Sequence, residues 1–177
     1  LPADELAAIE RGPWQTPDGT LVVRAVKAYA DGALGSRGAA LLAPYSDQPG
    51  TRGLLLTPKA RLEQLATLCV ARGFQLCTHA IGDAANRAVL DAYAAAVPEA
   101  ERARVRFRIE HAQVVHADDF ARFAAQHVIP SMQPTHLTSD MPWAPQRLGD
   151  ERIDGAYAWT RFLGLGLFRP IFDDGEV

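Results

Sequence analysis

An α/β fold with parallel strands is what this sequence of 177 residues predicts. Three observations carry the prediction. Short branched-apolar runs alternate with helical patterns, no glycine-rich phosphate motif follows any of them, and ionisable residues close successive strands. Strict alternation requires parallel strands joined by crossovers, in a doubly wound sheet or in part of a (β/α)8 barrel. The absence of G-x-G-x-x-G and G-x-x-x-x-G-K weighs against the nucleotide-binding version.

The first strand is expected over Leu21–Lys27, where branched apolar residues follow the turn-formers Pro17-Asp18-Gly19. From Asp31-Gly32 to Gly53 the chain is rich in Gly, Ser and Pro and has no helical period. A loop that long within a compact domain is usually functional. A helix should open at Thr57 as N-cap with Pro58 in its first turn, bury Leu62, Leu65, Ala66, Leu68 and Cys69, and end at Gly73. Strands are then expected at Phe74–His79, Val105–His111 and Val128–Met132. Helices should fill Ala84–Ala96, Ala117–Gln126 and Tyr157–Leu163, and Leu165–Phe172 reads as a last, poorly formed strand.

Composition bounds the function. With 48% hydrophobic and 22% charged residues the chain is ordinary globular material, and its length suits one domain over 1–177. A net charge of −3 offers nucleic acid or an anionic membrane no attraction. No apolar run reaches the roughly 18–20 residues that span a bilayer. Leu1-Pro2-Ala3-Asp4 lacks the basic start and apolar stretch of a signal peptide, so a cytoplasmic location is expected. Two cysteines, Cys69 and Cys77, form neither a disulfide framework nor a CxxC pair.

Chemistry is expected where strands end. Lys27, His79 and His111 close three of the expected strands, and the C-terminal ends of barrel strands carry the active site. Period-2 alternation puts Lys27 with Val23 and Ala25, His79 with Gln75 and Cys77, and His111 with Val105, Phe107 and Ile109. A lone histidine or lysine in such a place is more often hydrogen-bonded or solvated; three at successive strand ends point to a site.

Four segments sharpen this. Val26-Lys27-Ala28-Tyr29-Ala30-Asp31-Gly32-Ala33-Leu34-Gly35-Ser36-Arg37, His79-Ala80-Ile81-Gly82-Asp83-Ala84-Ala85-Asn86, Ile109-Glu110-His111-Ala112-Gln113 and Ser131-Met132-Gln133-Pro134-Thr135-His136 together resemble the amidohydrolase superfamily, in its family 3 (YtcJ-like) branch of metal-dependent hydrolases. The likeness runs from about residue 22 to 163. It implies a partial (β/α)8 TIM barrel, about strands 4 to 7 plus a damaged strand 8. His79 and His111 would be metal ligands ending the fifth and sixth barrel strands. Lys27 would match the lysine ending the fourth, which in related binuclear enzymes is carboxylated and bridges two metals. One or two divalent ions are implied, zinc by default, since imidazole and carboxylate-like oxygen suit it. The substrate implied is a small amide-like molecule, cleaved at a non-peptide C–N bond.

Smaller expectations attach to other residues. Asp83 is expected to cap the following helix or to support a ligand. His136, Asp140 and Arg37 are candidates for substrate contact, Arg37 with loop anchoring as its alternative, and Trp143 for an apolar wall. Cys77 reads as a buried thiol. Arg102, Arg104, Arg106 and Arg108 are expected to pair with carboxylates on covering helices.

Two family features are not found. There is no His-x-His, and no Gly-Ser-Asp near the end, where Asp173 and Asp174 come nearest without matching, so no catalytic base is assigned. The chain as it stands is expected to be an inactive fragment of such a hydrolase. The alternative is a non-catalytic remnant serving as an interaction module.

Overall fold

The computed structural model describes residues 3–167. Helix α1 (Ala3–Glu10) leads into a two-stranded antiparallel hairpin, β1 (Trp14–Gln15) and β2 (Val22–Val23). Its turn is held by Asp18, whose Oδ1 accepts from Thr16 Oγ1 at 2.6 Å and Thr20 Oγ1 at 2.9 Å. The hairpin takes the apolar residues expected to begin the first parallel strand. That strand, β3, therefore runs Ala25–Tyr29, and Lys27 lies within it, not at its end.

After the long loop come α2 (Lys59–Arg72), β4 (Gln75–Ala80) and α3 (Asp83–Ala96). A short α4 (Arg102–Val105) precedes β5 (Arg108–His111), followed by α5 (Phe120–Ala125) and β6 (Ile129–Ser131). Strands β3-β4-β5-β6 pair in that order, every pair parallel. Beyond β6 the expected loop holds three short helices, α6 (Pro134–Asp140), α7 (Ala144–Leu148) and α8 (Asp150–Ile153), before α9 (Trp159–Gly164). The strand expected at 165–172 lies outside the described residues after Leu167, and 165–166 form a turn. Asp173 and Asp174 are likewise outside them. Among the described residues no helix is long and apolar enough to cross a membrane.

Several departures have local causes. Helix α2 begins one turn position later than expected because Thr57 Oγ1 donates to Tyr29 O at 2.7 Å, tying the loop to the end of β3 and not capping the helix. Gly73 ends α2 in the left-handed conformation (φ 77°), as a helix-terminal glycine does. The stretch 102–105 is helical, and Arg106 (φ 48°) turns the chain into β5 only at Arg108.

Helices cover one face of the sheet. Leu76, Thr78, Ala80 and Ile109 from β4 and β5 are fully buried there with Leu62, Cys69, Val89 and Leu90 of α2 and α3. Thr78 is tolerated because Tyr93 Oη donates to its Oγ1 at 2.7 Å, leaving no buried hydroxyl unpaired. The opposite face stays open. Alternate residues Ala25, Lys27 and Tyr29 are exposed, and Gln75, Cys77, His79, Arg108 and Glu110 are half-buried on it.

A second cluster gathers the long loop onto the helices after β6: Leu34, Leu41, Tyr45, Ile81, Leu148 and Tyr157. The first core closes at α9, where Phe162 is fully buried with its ring 5.0 Å from Phe120 and 4.9 Å from Phe123. Removing it leaves a cavity beneath three elements. Phe162→Ala is expected to cost about 3–5 kcal/mol in urea unfolding, against little change for a substitution at exposed Leu163.

Candidate metal centre

The open face carries its chemistry at the C-terminal ends of β3, β4 and β5. Register places Tyr29 opposite His79 and Lys27 opposite Cys77, so Lys27 sits on the His79 face but about 6.6 Å further down the strands. The Lys27 Nζ lies 5.1 Å from the Tyr29 ring centre, and the Tyr29 and His79 rings are 5.3 Å apart. His79 meets His111 edge-on at 4.7 Å, and His111 stacks on His136 at 5.4 Å with 12° between planes. Three imidazoles therefore stand in a row above a lysine.

His111 reaches this row by an unexpected route. Alternation along β5 puts Phe107 and Ile109 against the helices, both buried, and Arg108 and Glu110 on the open face. The expected grouping of His111 with Phe107 and Ile109 would hide it among the helices. His111 (φ 76°) and Ala112 (φ 43°) both adopt left-handed backbone, which turns the chain at the strand end and brings the ring to His79. Left-handed conformations cost energy for residues with a side chain, and they concentrate where geometry serves a site.

The electrostatics favour neutral nitrogen. Burial, then the neighbouring His79, holds the His111 imidazole below its ordinary pKa of 6.5. Burial also lowers the Lys27 amine, while the charge of Glu110 works against it. Glu110 itself is kept below its ordinary range by Arg108 despite its burial; the guanidinium grips it through Nε at 2.8 Å and Nη2 at 3.0 Å. Arg108 thus pairs within its own strand, correcting the expectation of a partner on a covering helix, and Arg104 pairs with nearby Glu101. Among the described residues Lys27 has neither hydrogen bond nor ion pair, and neither do the His79 and His111 rings make an aligned hydrogen bond; Nε2 of His79 and Nδ1 of His111 are buried without one. Buried imidazoles are normally hydrogen-bonded. His79 Nε2 faces Asp31 Oδ1 at 3.4 Å, so a cation would be served by the other nitrogen of that ring together with His111 and the unpaired Lys27 amine. No three His, Cys, Asp or Glu side chains among the described residues converge as a ready-made metal cluster, so Lys27 or groups from elsewhere must complete any such set.

The sequence model of the Amidohydrolase family matches residues 2–174. The chain belongs to this family. It is 36% identical over 143 residues to "Putative amidohydrolase YtcJ" of Bacillus subtilis (strain 168), covering 81% of this chain and 26% of that protein. It is 39% identical over 159 residues to "Protein LONG AFTER FAR-RED 3" of Arabidopsis thaliana, covering 89% and 27%. Crystal structures of uncharacterized metal-dependent hydrolases from Pyrococcus horikoshii OT3 and Pyrococcus furiosus each superimpose with a TM-score of 0.78 at 33% identity. They match 92% of this chain and 32% of their own. The chain thus spans between a quarter and a third of the length of these relatives.

The remaining expected site residues fall away from the imidazole row. Arg37 donates from Nε and Nη2 to Asp47 at 3.1 and 2.8 Å, and Arg147 holds the same carboxylate, which makes Arg37 a loop anchor. Asp140 accepts from Tyr157 Oη at 2.7 Å, Gln113 Nε2 at 3.2 Å and Ser139 Oγ at 2.8 Å, so its oxygens are engaged in joining α6 to the chain after β5. Trp143 packs on Gly35, where an added methyl would sit 3.4 Å from its ring. Asp83 is the first residue of α3, not its cap, which is Gly82; its Oδ1 accepts from Leu42 N at 2.8 Å and Ala84 N at 2.9 Å. Burial raises its pKa against those two bonds. Cys77 lies half-buried beside Lys27, its thiol pushed up by burial.

One residue went unsuspected. Asp31, just past β3, is 1% exposed and accepts from the backbone of Ala40 at 2.9 Å, Ile81 at 2.9 Å and Gly82 at 2.8 Å. Its place directly before the long glycine-rich loop was the available signal, and an acidic residue there reads equally well as an exposed turn-former.

Two outcomes follow. Gly82→Ala would put Cβ 1.9 Å from Ala40 O, the carbonyl that accepts from Ala84 N and Ala85 N. It is expected to cost about 1–3 kcal/mol in urea unfolding and to release the loop, read as new proteolytic cleavage within 38–53. His111 binds its proton less readily folded than unfolded, so its neutral form contributes stability above about pH 6.5 that is lost as pH falls below it. His111→Asn, which tolerates the left-handed backbone, should flatten the fall in unfolding free energy between neutral pH and about pH 5.

Proposed function

We propose that this chain carries the central strands of a metal-dependent hydrolase barrel, with β3 to β6 as its fourth to seventh strands. Lys27, His79 and His111 would hold one or two divalent cations, zinc by default. The observation that carries this reading is the edge-on pair His79–His111, two half-buried rings, each with a buried nitrogen that makes no aligned hydrogen bond, above an unpaired lysine. A cation bound there supplies a water acidified to near neutrality and a Lewis acid for a carbonyl oxygen. Everything else is the work of the chain.

His111 offers neutral nitrogen, which its depressed pKa keeps available in mildly acidic solution, and His79 brings a second imidazole beside it. Lys27, lowered by partial burial, gives up its proton more easily than a fully solvated lysine and would take up CO₂ as a carbamate, turning a nitrogen cation into an oxygen donor. His136, stacked on His111 from α6, forms the wall where a small amide-like substrate would lie. The bond cleaved would be a non-peptide C–N bond. Arg37, Asp83 and Asp140 support the surrounding loops and are not assigned substrate contact.

The ligand set on this chain is incomplete against the relatives' greater length, so we propose that the chain alone does not turn over substrate. Calorimetry should show zinc binding that is abolished by His79→Asn combined with His111→Asn and weakened about 10-fold or more by Lys27→Ala. Wild-type protein that binds no zinc, or a double variant that binds it equally, would overturn the reading. Hydrolysis of N-acyl compounds by the isolated chain would refute its inactivity.

A further inference from the structure

Asp31 stands behind His79. The carboxylate is 1% exposed and receives three backbone N–H groups, Ala40 from the long loop and Ile81 and Gly82 from the chain leaving β4. Two of those donors follow His79 by only two and three residues. The same carboxylate also faces the imidazole: His79 Nε2 lies 3.4 Å from Asp31 Oδ1, buried and with no aligned partner among the described residues. The His79 side chain nevertheless keeps 12% of its surface, so what remains accessible on that ring lies away from Nε2. Backbone and ring are therefore referred to one fixed group.

An imidazole that binds a metal through one nitrogen is normally oriented by a carboxylate or carbonyl on the other, which selects the tautomer and holds the ring plane. Asp31 has the position for that task, and its three backbone bonds leave it little freedom to move. We propose that Asp31 is the positioning residue of His79: it holds the Nε2–H tautomer, presents Nδ1 to the open face of the sheet, and locks the loop carrying Ala40 to the same geometry. This inference rests on the metal-binding reading of His79 above.

Nuclear magnetic resonance of the metal-free chain tests it directly. In the wild type, couplings across hydrogen bonds should connect the Ala40, Ile81 and Gly82 amides to the Asp31 Cγ, and the ring nitrogen shifts of His79 should report the Nε2–H tautomer. Asp31→Asn keeps the shape but replaces one acceptor oxygen by an amide donor. With the amide at the Oδ1 position it is expected to shift His79 toward the Nδ1–H tautomer, release the Ile81 amide to exchange, and weaken zinc binding about 10- to 100-fold. Asp31→Glu, one methylene longer, should not restore them. A wild-type His79 in the Nδ1–H form, or a folded Asp31→Asn with unchanged His79 shifts and unchanged zinc affinity, overturns the proposal. If Asp31→Asn does not fold, the wild-type couplings and tautomer decide. Wild-type protein that takes up no zinc defeats the metal reading, while those same couplings and that tautomer still decide the role of Asp31.

Discussion

A single buried carboxylate holds the site end of this molecule together. Asp31 leaves β3 and ties itself to the exit of β4 through Ile81 and Gly82, and to the returning loop through Ala40. A buried ionised group is costly unless it is fully hydrogen-bonded, and here three N–H donors satisfy it. The dependence runs both ways. Without the carboxylate, three backbone donors from two separate segments would be buried with nothing to accept them. Gly82 completes the junction: only a residue without Cβ lets Ala40 O come close enough to receive the first N–H groups of α3. A loop of nearly thirty residues and a strand end thus share one joint.

From that joint outward the loop becomes a packed element. Leu34, Leu41 and Tyr45 are buried with Leu148 and Tyr157, and the polar rim is closed by Asp47 between Arg37 and Arg147. Arg152 adds bonds to the carbonyls of Ala43 and Pro44 at 3.0 and 2.8 Å. These contacts join segments about a hundred residues apart, which is why no local periodicity betrays them. The polar residues proposed from sequence as substrate contacts, Arg37 and Asp140, are consumed in this framework.

What was legible in the sequence was whatever depends on local periodicity or on quoted motifs. The alternation of strands and helices from Phe74 to Met132, the parallel order, the stripe of α2 and the Gly73 stop all follow from the residue pattern. The motifs of the amidohydrolase family marked Lys27, His79, His111 and His136, and the last three form one row of rings. Illegible were the features set by tertiary bonds. The hairpin of Trp14–Gln15 and Val22–Val23 shifts β3 along the chain, and the short α6, α7 and α8 contain too few turns to show a stripe. The sequence suggests the opposite parity for β5 because Val105, Phe107 and Ile109 alternate convincingly; Val105 ends α4, and Phe107 and Ile109 line the face under the helices. His111 escapes that face only through two consecutive left-handed residues, and a β-strand pattern contains no trace of them.

The open face then has a charge order with a consequence of its own. Arg108 and Glu110 neutralise each other through two parallel bonds, with Ser131 Oγ accepting from Arg108 Nη2 at 2.6 Å. Bidentate pairing of this kind is strong and directional, so Glu110 is not available to swing toward Lys27 as a full partner. Lys27 is left with a distant attraction, partial burial and an aromatic neighbour, and burial wins. Among the described residues the ammonium has no hydrogen bond or ion pair, and partial burial lowers its pKa. Loss of its proton therefore costs less than for a fully solvated lysine. The lysine sits two residues below the imidazoles on the exposed face of β3, while the rings stand at the strand ends. The arrangement sets a lysine whose amine is lowered by partial burial below His111, whose imidazole burial holds below its ordinary value at the strand end.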